Sequence, residues 1–213
     1  MPSSTAPAST RAAYDLVADD YARLLPDTAA EAPADLAMIG RFSDSMPDGG
    51  PILDAGCGTG RMIGHLHGLG HRHLTGVDLS PGMIAQATSG YPETSFAVAD
   101  LADLPYPDHR FDGILAWYSI IHTPPEELGP LWAQFHRVLR SGGSLLLGFQ
   151  SGSGSRQIRS AYGHQVEMTA QLHDPADLVA RLEAAGFIVD EDLQRAPREH
   201  ESGPQGFLRV HRS

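Results

Sequence analysis

The 213-residue sequence predicts an α/β domain, a three-layer sandwich with helices on both faces of a seven-stranded, mostly parallel sheet. Three observations predict it. Short apolar runs alternate with segments of helical period. Ser-Pro or Asp-Pro pairs open several of those helices and glycines close them. A glycine-rich turn joins the first apolar run to the helix that follows.

The elements follow in order. Residues 1–10, rich in Pro, Ser and Ala, read as a disordered tail, with neither a basic stretch nor an apolar core of a leader. Arg11–Leu25 sets Tyr14, Val17, Tyr21 and Leu25 on one helical face, and a second helix covers Asp35–Ser45, so 11–50 reads as a helical cap. Strands are expected at Pro51–Ala55, His73–Asp78, Ser95–Ala99, Phe111–Trp117, Ser144–Phe149, Phe187–Leu193 and Gln205–Val210. Between them, Met62, Ile63, Leu66 and Leu69 mark a helix ended by Gly70, and Ser80-Pro81 opens one over Pro81–Thr88. Thr123-Pro-Pro-Glu126 has the spacing of a capping box ahead of a helix burying Leu128, Leu131, Trp132, Phe135 and Leu139. Gln150–Ser155 reads as flexible and Gln165–His173 as extended, which makes 150–173 a lid segment; Asp174-Pro175 opens the last helix. The span 11–213 is then one domain.

Composition excludes several function classes. Fifteen basic residues against 26 acidic ones give a formal charge of −11. Every cation is Arg; with no Lys, Schiff-base chemistry and a P-loop are excluded. No basic run offers a surface to nucleic acid or anionic lipid. Cys57 is the single cysteine, so no intramolecular disulfide or paired-cysteine metal site can form. His65, His67, His71 and His73 are crowded, but residues two apart on a helix diverge, and no metal is expected. No 18-residue apolar run is present, and a cytoplasmic protein working as a monomer or homodimer on a small-molecule substrate is expected.

The chemistry concentrates in Leu53-Asp-Ala-Gly-Cys-Gly-Thr-Gly60 and Asp78. Gly56, Gly58 and Gly60 follow a strand and open a helix, where bare backbone can approach a ligand. Asp78 closes the next strand, where a carboxylate can accept hydrogen bonds from ribose hydroxyls. Position 61, which a dinucleotide fingerprint reserves for Gly, is Arg. Asp54 would repel pyrophosphate but suits a cationic ligand carrying an amino group. These charges favour S-adenosylmethionine over NAD.

Ile52–Arg61 resembles motif I of the class I S-adenosylmethionine-dependent methyltransferases, and Gly76–Ser80 resembles their post-I motif. Ala99–Pro105 with Phe111–Leu115, and Leu139–Leu147, resemble the following acidic loop, motif II and motif III. The resemblance implies a Rossmann-like sheet whose last strand is antiparallel. It also implies Gly56, Cys57 and Gly58 with Asp54 at the methionine part, and Asp78 at the ribose. Leu79, Met83, Asp100 and Leu101 would lie at the adenine, with Ala116 and Trp117 as the far wall. Tyr14 and Tyr21 match the Y-D-x-x-A-x-x-Y pattern of the small-molecule, type 11-like branch, whose first helix covers the cofactor. The branch transfers methyl groups by SN2 displacement, which needs alignment and, for a protonated acceptor, a base. His122, just past the fourth strand, is the candidate catalytic base. Tyr118, His122, Phe149 and Tyr162 are the candidate substrate pocket. Two rival readings stay open: an NAD(P)-dependent oxidoreductase, and a non-catalytic protein that binds S-adenosylmethionine.

Overall fold

The structure, a computed structural model, describes residues 5–199 and 201–213. Its first half runs α1 (Thr5–Leu24), α2 (Pro33–Asp44), β1 (Ile52–Ala55), α3 (Arg61–Gly68), β2 (Leu74–Asp78), α4 (Pro81–Gly90), β3 (Ser95–Val98) and β4 (Phe111–Trp117). A 3-10 turn over Pro125–Glu127 leads into α5 (Leu128–Val138) and β5 (Leu139–Gln150). Then come β6 (Ser155–Ala161), β7 (His164–Gln171), α6 (Pro175–Ala184), β8 (Phe187–Arg195) and β9 (Gln205–Arg212).

Seven strands form one sheet in the order β3-β2-β1-β4-β5-β9-β8. The pairings β1–β2, β1–β4, β2–β3 and β4–β5 are parallel, while β9 runs antiparallel to both β5 and β8. Side-chain alternation divides the strands between two cores. Leu53, Ile114, Leu145, Leu147 and Leu208 meet Trp132 and Phe135 of α5 and Leu178 and Leu182 of α6. Ile52, Leu115, Leu146 and Phe207 meet Met38 and Phe42 of α2 and Ile63 and Leu66 of α3. The expected sandwich is present, with its last strand antiparallel.

A third, smaller cluster lies outside the sandwich. Ala13, Val17 and Ala18 of α1 pack on Met83 of α4 and on Val166 and Met168 of β7. β6 and β7 are a separate two-stranded hairpin, closed by Tyr162-Gly163 with φ of 50° and 86°. Positive φ at both central residues is the turn that matches strand twist. Together α1 and the hairpin roof the carboxyl ends of the strands.

Local expectations hold where side-chain chemistry sets the boundary. Ser80 Oγ accepts the Met83 N–H at 3.1 Å, and Asp174 Oδ1 accepts from Ala176 and Asp177, capping α4 and α6. Four expectations need correction. The tail reading of 1–10 gives way to helix from Thr5; residues 1–4 lie outside the described residues. Thr123 makes no capping box, because two prolines place a 3-10 turn ahead of α5 and no side chain caps it. Leu139 is the first residue of β5, paired with Phe111, rather than the last of the helix. Finally, where the sequence offers only an extended stretch over Gln165–His173 after a flexible Gln150–Ser155, residues 155–171 form a two-stranded hairpin.

Candidate active site

The sheet order reverses between β1 and β4, and that reversal opens a crevice at the carboxyl ends of the strands. It holds a cavity of about 690 Å³, within the usual range of small-molecule sites. Gly56 and Gly58, in the loop after β1, form one wall. At Gly56, φ is 77° and a Cβ would lie 2.3 Å from that of Ser119, so only glycine lets the two loops meet. At Gly58, φ is 52° and a Cβ would meet nothing within 4 Å; the bare backbone faces open space.

Four of the loop's N–H groups are spent inside the protein. Gly56 and Cys57 both donate to the Val77 carbonyl, Gly60 donates to Cys57, and Gly58 donates to Asp78 Oδ2 at 2.9 Å. These four are not free to meet a pyrophosphate. Asp54, beneath the loop, sharpens the contrast: it is 1% exposed and neither carboxylate oxygen has a partner. Burial pushes its pKa up to about 7, opposed by the charge of Arg61. A buried acid without donors, beneath a loop with four N–H groups already committed, favours a cation.

Asp78 stands at the end of β2 and lines the cavity. Its Oδ1 accepts from Ser80 N at 2.9 Å and its Oδ2 from Gly58, and each oxygen keeps a further lone pair. Burial raises its pKa, while these N–H donors pull it back. Leu79, Met83, Asp100 and Leu101 line the same end of the cavity.

The opposite end lies under the roof. Tyr14 and Tyr21 of α1, Tyr162 of the hairpin turn, and Trp117, Tyr118 and His122 after β4 all line it. The Tyr21 and Tyr162 rings lie 4.9 Å apart. His122 Nδ1 lies 2.7 Å from the Thr169 carbonyl of β7, which can only accept, so Nδ1 carries the proton. In the neutral ring Nε2 then accepts the Tyr14 hydroxyl at 2.9 Å. Burial lowers the His122 pKa, outweighing the carbonyl's support, so the ring is neutral at neutral pH. Burial also holds the Tyr14 phenol well above its ordinary value.

Four assignments made from the sequence are corrected by strand alternation and loop packing, because their side chains do not line the cavity. Phe149 and Ala116 are fully buried on the α5–α6 face, where Phe149 lies over Gly206. The Cys57 thiol turns inward against Gly76, and its burial raises its pKa. Asp54 lies behind the loop rather than on the surface of the cavity.

The structure also brings in residues that the sequence did not single out for the site. Arg61, the residue in place of a third loop glycine, lines the cavity and pairs with Glu31 at 2.6 Å, both well shielded from solvent. The same Glu31 oxygen accepts Trp117 Nε1 at 3.0 Å. Position 61 could have signalled this cation; Glu31, in an irregular Ala-rich stretch, carried no signal. Ser119, Glu126 and Glu127 also reach the cavity. Among the described residues no three His, Cys, Asp or Glu side chains converge as metal ligands.

Fold, switch-point cavity and a buried unpartnered acid define the class: an α/β protein with a cavity suited to a positively charged nucleoside ligand. Residues 52–143 match the methyltransferase domain family. A malonyl-[acyl-carrier protein] O-methyltransferase of Pseudescherichia vulneris is 34% identical over 160 residues, covering 75% of this chain and 56% of the relative. The chain thus spans a little over half the length of that relative. Among solved structures, the [4+2]-cyclase SpnF superposes with a TM-score of 0.76 at 19% identity, covering 100% of this chain and 98% of the other. The Burkholderia thailandensis 1,6-didemethyltoxoflavin-N1-methyltransferase, with bound 1,6-didemethyltoxoflavin and S-adenosylhomocysteine, gives 0.73 at 24% identity, covering 97% and 88%. Residues 52–143 thus carry a domain of the methyltransferase domain family, and the chain is similar in fold to S-adenosylmethionine-dependent methyltransferases. The cofactor of that family is S-adenosylmethionine, and the unpartnered Asp54 carboxylate and the open space at Gly58 fit its cationic methionine part.

Proposed function

We propose that this chain transfers a methyl group from S-adenosylmethionine to a small-molecule acceptor. One observation carries the reading: an acid with no donors lies beneath a glycine loop whose N–H groups at Gly56, Cys57, Gly58 and Gly60 are all used, at the switch point of the sheet. When bound, the sulfonium supplies an activated methyl group that needs alignment more than activation.

The chain's residues divide that work. Gly56 and Gly58 give the methionine part room, with Asp54 behind them answering its ammonium group and Arg61 standing near for its carboxylate. Asp78 keeps lone pairs for the ribose, and Leu79, Met83, Asp100 and Leu101 take the adenine. Trp117 and Tyr118 wall the acceptor end, while Tyr14, Tyr21 and Tyr162 cover it as a lid against water. His122, neutral with Nε2 as its accepting atom, is the base available at that end. The formal charge of −11 supports a diffusible acceptor rather than nucleic acid, in a cytoplasmic monomer or homodimer. No helix among the described residues is long and apolar enough to cross a membrane.

Calorimetric titration with S-adenosylhomocysteine and, in parallel, with NAD tests the reading. Saturable binding of the first alone is expected; binding of NAD alone would replace it with an oxidoreductase. Transfer of labelled methyl to a metabolite extract separates catalysis from mere cofactor binding.

A further inference from the structure

His122 cannot present its accepting nitrogen to the cavity directly. Nδ1–H is committed to the Thr169 carbonyl at 2.7 Å, and Nε2 is already occupied by the Tyr14 hydroxyl at 2.9 Å. The ring plane of Tyr14 meets that of His122 edge-on, with centroids 5.5 Å apart. Tyr14 and His122 both line the cavity, and the Tyr14 hydroxyl covers the Nε2 that an acceptor would otherwise reach. What meets the acceptor is the Tyr14 oxygen, an atom that can take a proton only as it gives one up.

We propose, resting on the methyltransferase reading, that Tyr14 is the catalytic residue that relieves the acceptor of its proton, passing its own to His122 Nε2, and that the acceptor is a small phenol or enol. As the acceptor oxygen bonds to the methyl carbon of the sulfonium donor, the carbon–sulfur bond breaks and leaves a neutral thioether. The acceptor's O–H proton moves to the Tyr14 oxygen while the Tyr14 proton moves to Nε2. His122 ends as imidazolium with both nitrogens protonated, the Thr169 carbonyl still holding Nδ1–H. Release of the Nε2 proton to solvent, through Tyr14 in reverse once product has left, restores the neutral pair.

The acceptor class follows from proton affinities. Burial holds the Tyr14 phenol well above its ordinary pKa, so it gives up its proton only as it receives one, and the acceptor hydroxyl must itself have a phenol's acidity for a neutral imidazole to drain it. An alkyl alcohol is far too weak an acid for a neutral imidazole to drain through a phenol. A carboxylic acid or an acidic thiol arrives ionised and needs no relay. The aromatic lining from Tyr21, Tyr162, Trp117 and Tyr118 also suits a planar ring. The titratable groups lining the cavity around the pair are Tyr21 from α1, Tyr162 from the hairpin, Asp78 from β2, Arg61 from α3, and Glu126 and Glu127 from the turn before α5; Tyr21, Tyr162 and Asp78 act on Tyr14 by charge. None of these is hydrogen-bonded to His122 in its place; Tyr14 and the Thr169 carbonyl hold both its nitrogens.

Two measurements on the full chain test the proposal. Nitrogen NMR of histidine-labelled protein should show His122 as the Nδ1–H tautomer, with its Nε2 resonance displaced in Tyr14→Phe. A Nε2–H tautomer, or no displacement, overturns the relay. At saturating S-adenosylmethionine, phenol, catechol and resorcinol serve as acceptor probes. On the best of them, Tyr14→Phe and His122→Gln should each lower kcat about 100-fold, the range of general acid–base catalysis, and the double variant should fall no further. The rise of kcat with pH through the His122 titration should vanish in both. Additive losses, losses confined to KM, or no methylation of any probe by a wild-type protein that binds S-adenosylhomocysteine overturn the proposal. Absence of S-adenosylhomocysteine binding is a different failure, that of the methyltransferase reading itself.

Discussion

At the scale of single residues, the instructive group is Asp54, an acid held in the free protein at a cost. An ordinary aspartate titrates near 3.9, whereas burial raises this one to about 7. Between those values the folded protein binds more protons than the unfolded chain, so stability falls as pH rises, by on the order of 4 kcal/mol in all. Asp54→Asn is expected to flatten that slope, checked by urea denaturation at mildly acidic and mildly alkaline pH. An ammonium group held in front of the loop favours the ionised carboxylate behind it, so S-adenosylhomocysteine binding below pH ~7 should release up to about one proton. Calorimetry in buffers of different ionisation enthalpy reads that number directly. Asp78→Ala should weaken the same binding by about 1–3 kcal/mol, the loss of a charged acceptor. The sequence exposed Asp54, Asp78 and His122 because their positions relative to glycines and strand ends are short-range facts. It hid the facing of Ala116 and Phe149, since a fully apolar strand has no polar residue to mark which side meets the cavity.

At the scale of elements, the roof depends on a few polar clasps. Asp15 Oδ1 of α1 accepts from Ser80 Oγ at 2.6 Å and from Gly82 N at 2.9 Å, tying the helix to the first turn of α4. Asp19 accepts from Gln86 at 2.6 Å, and His164 of β7 meets Asp20 at 2.8 Å. Asp15→Ala removes two acceptor contacts and should cost α1 docking about 1–2 kcal/mol. Hydrogen exchange is expected to quicken along α1 while amides of the seven-stranded sheet keep their protection. Helix starts at Ser80-Pro81 and Asp174-Pro175 were legible because one side chain both ends the loop and caps the helix. The hairpin was not, because its turn is Tyr162-Gly163 rather than Asn-Gly or Asp-Gly. Yet the alternation of Val166, Met168 and Ala170 with polar neighbours in β7 was there to be read.

At the scale of the whole molecule, the sandwich is held by ordinary burial, and Trp132 belongs to the part of its core that does not line the site. Trp132, 2% exposed between α5 and the sheet, should cost about 3–5 kcal/mol when cut to Ala, with cofactor affinity preserved in the folded fraction. Periodicity alone gave alternating strands and helices, but the reversed direction of β9 came from the family resemblance, because apolar patterning does not record strand direction. Long-range meetings such as Tyr14 with His122, 108 residues apart, were beyond any local signal. That meeting has a consequence for turnover. Both partners of the imidazole belong to the roof, one to its helix and one to its hairpin, so whenever either lifts to admit or discharge a guest, the proton relay comes apart. On the proposed relay, the protein would be chemically idle while open to water, and the sulfonium would be offered a working base only behind a closed door.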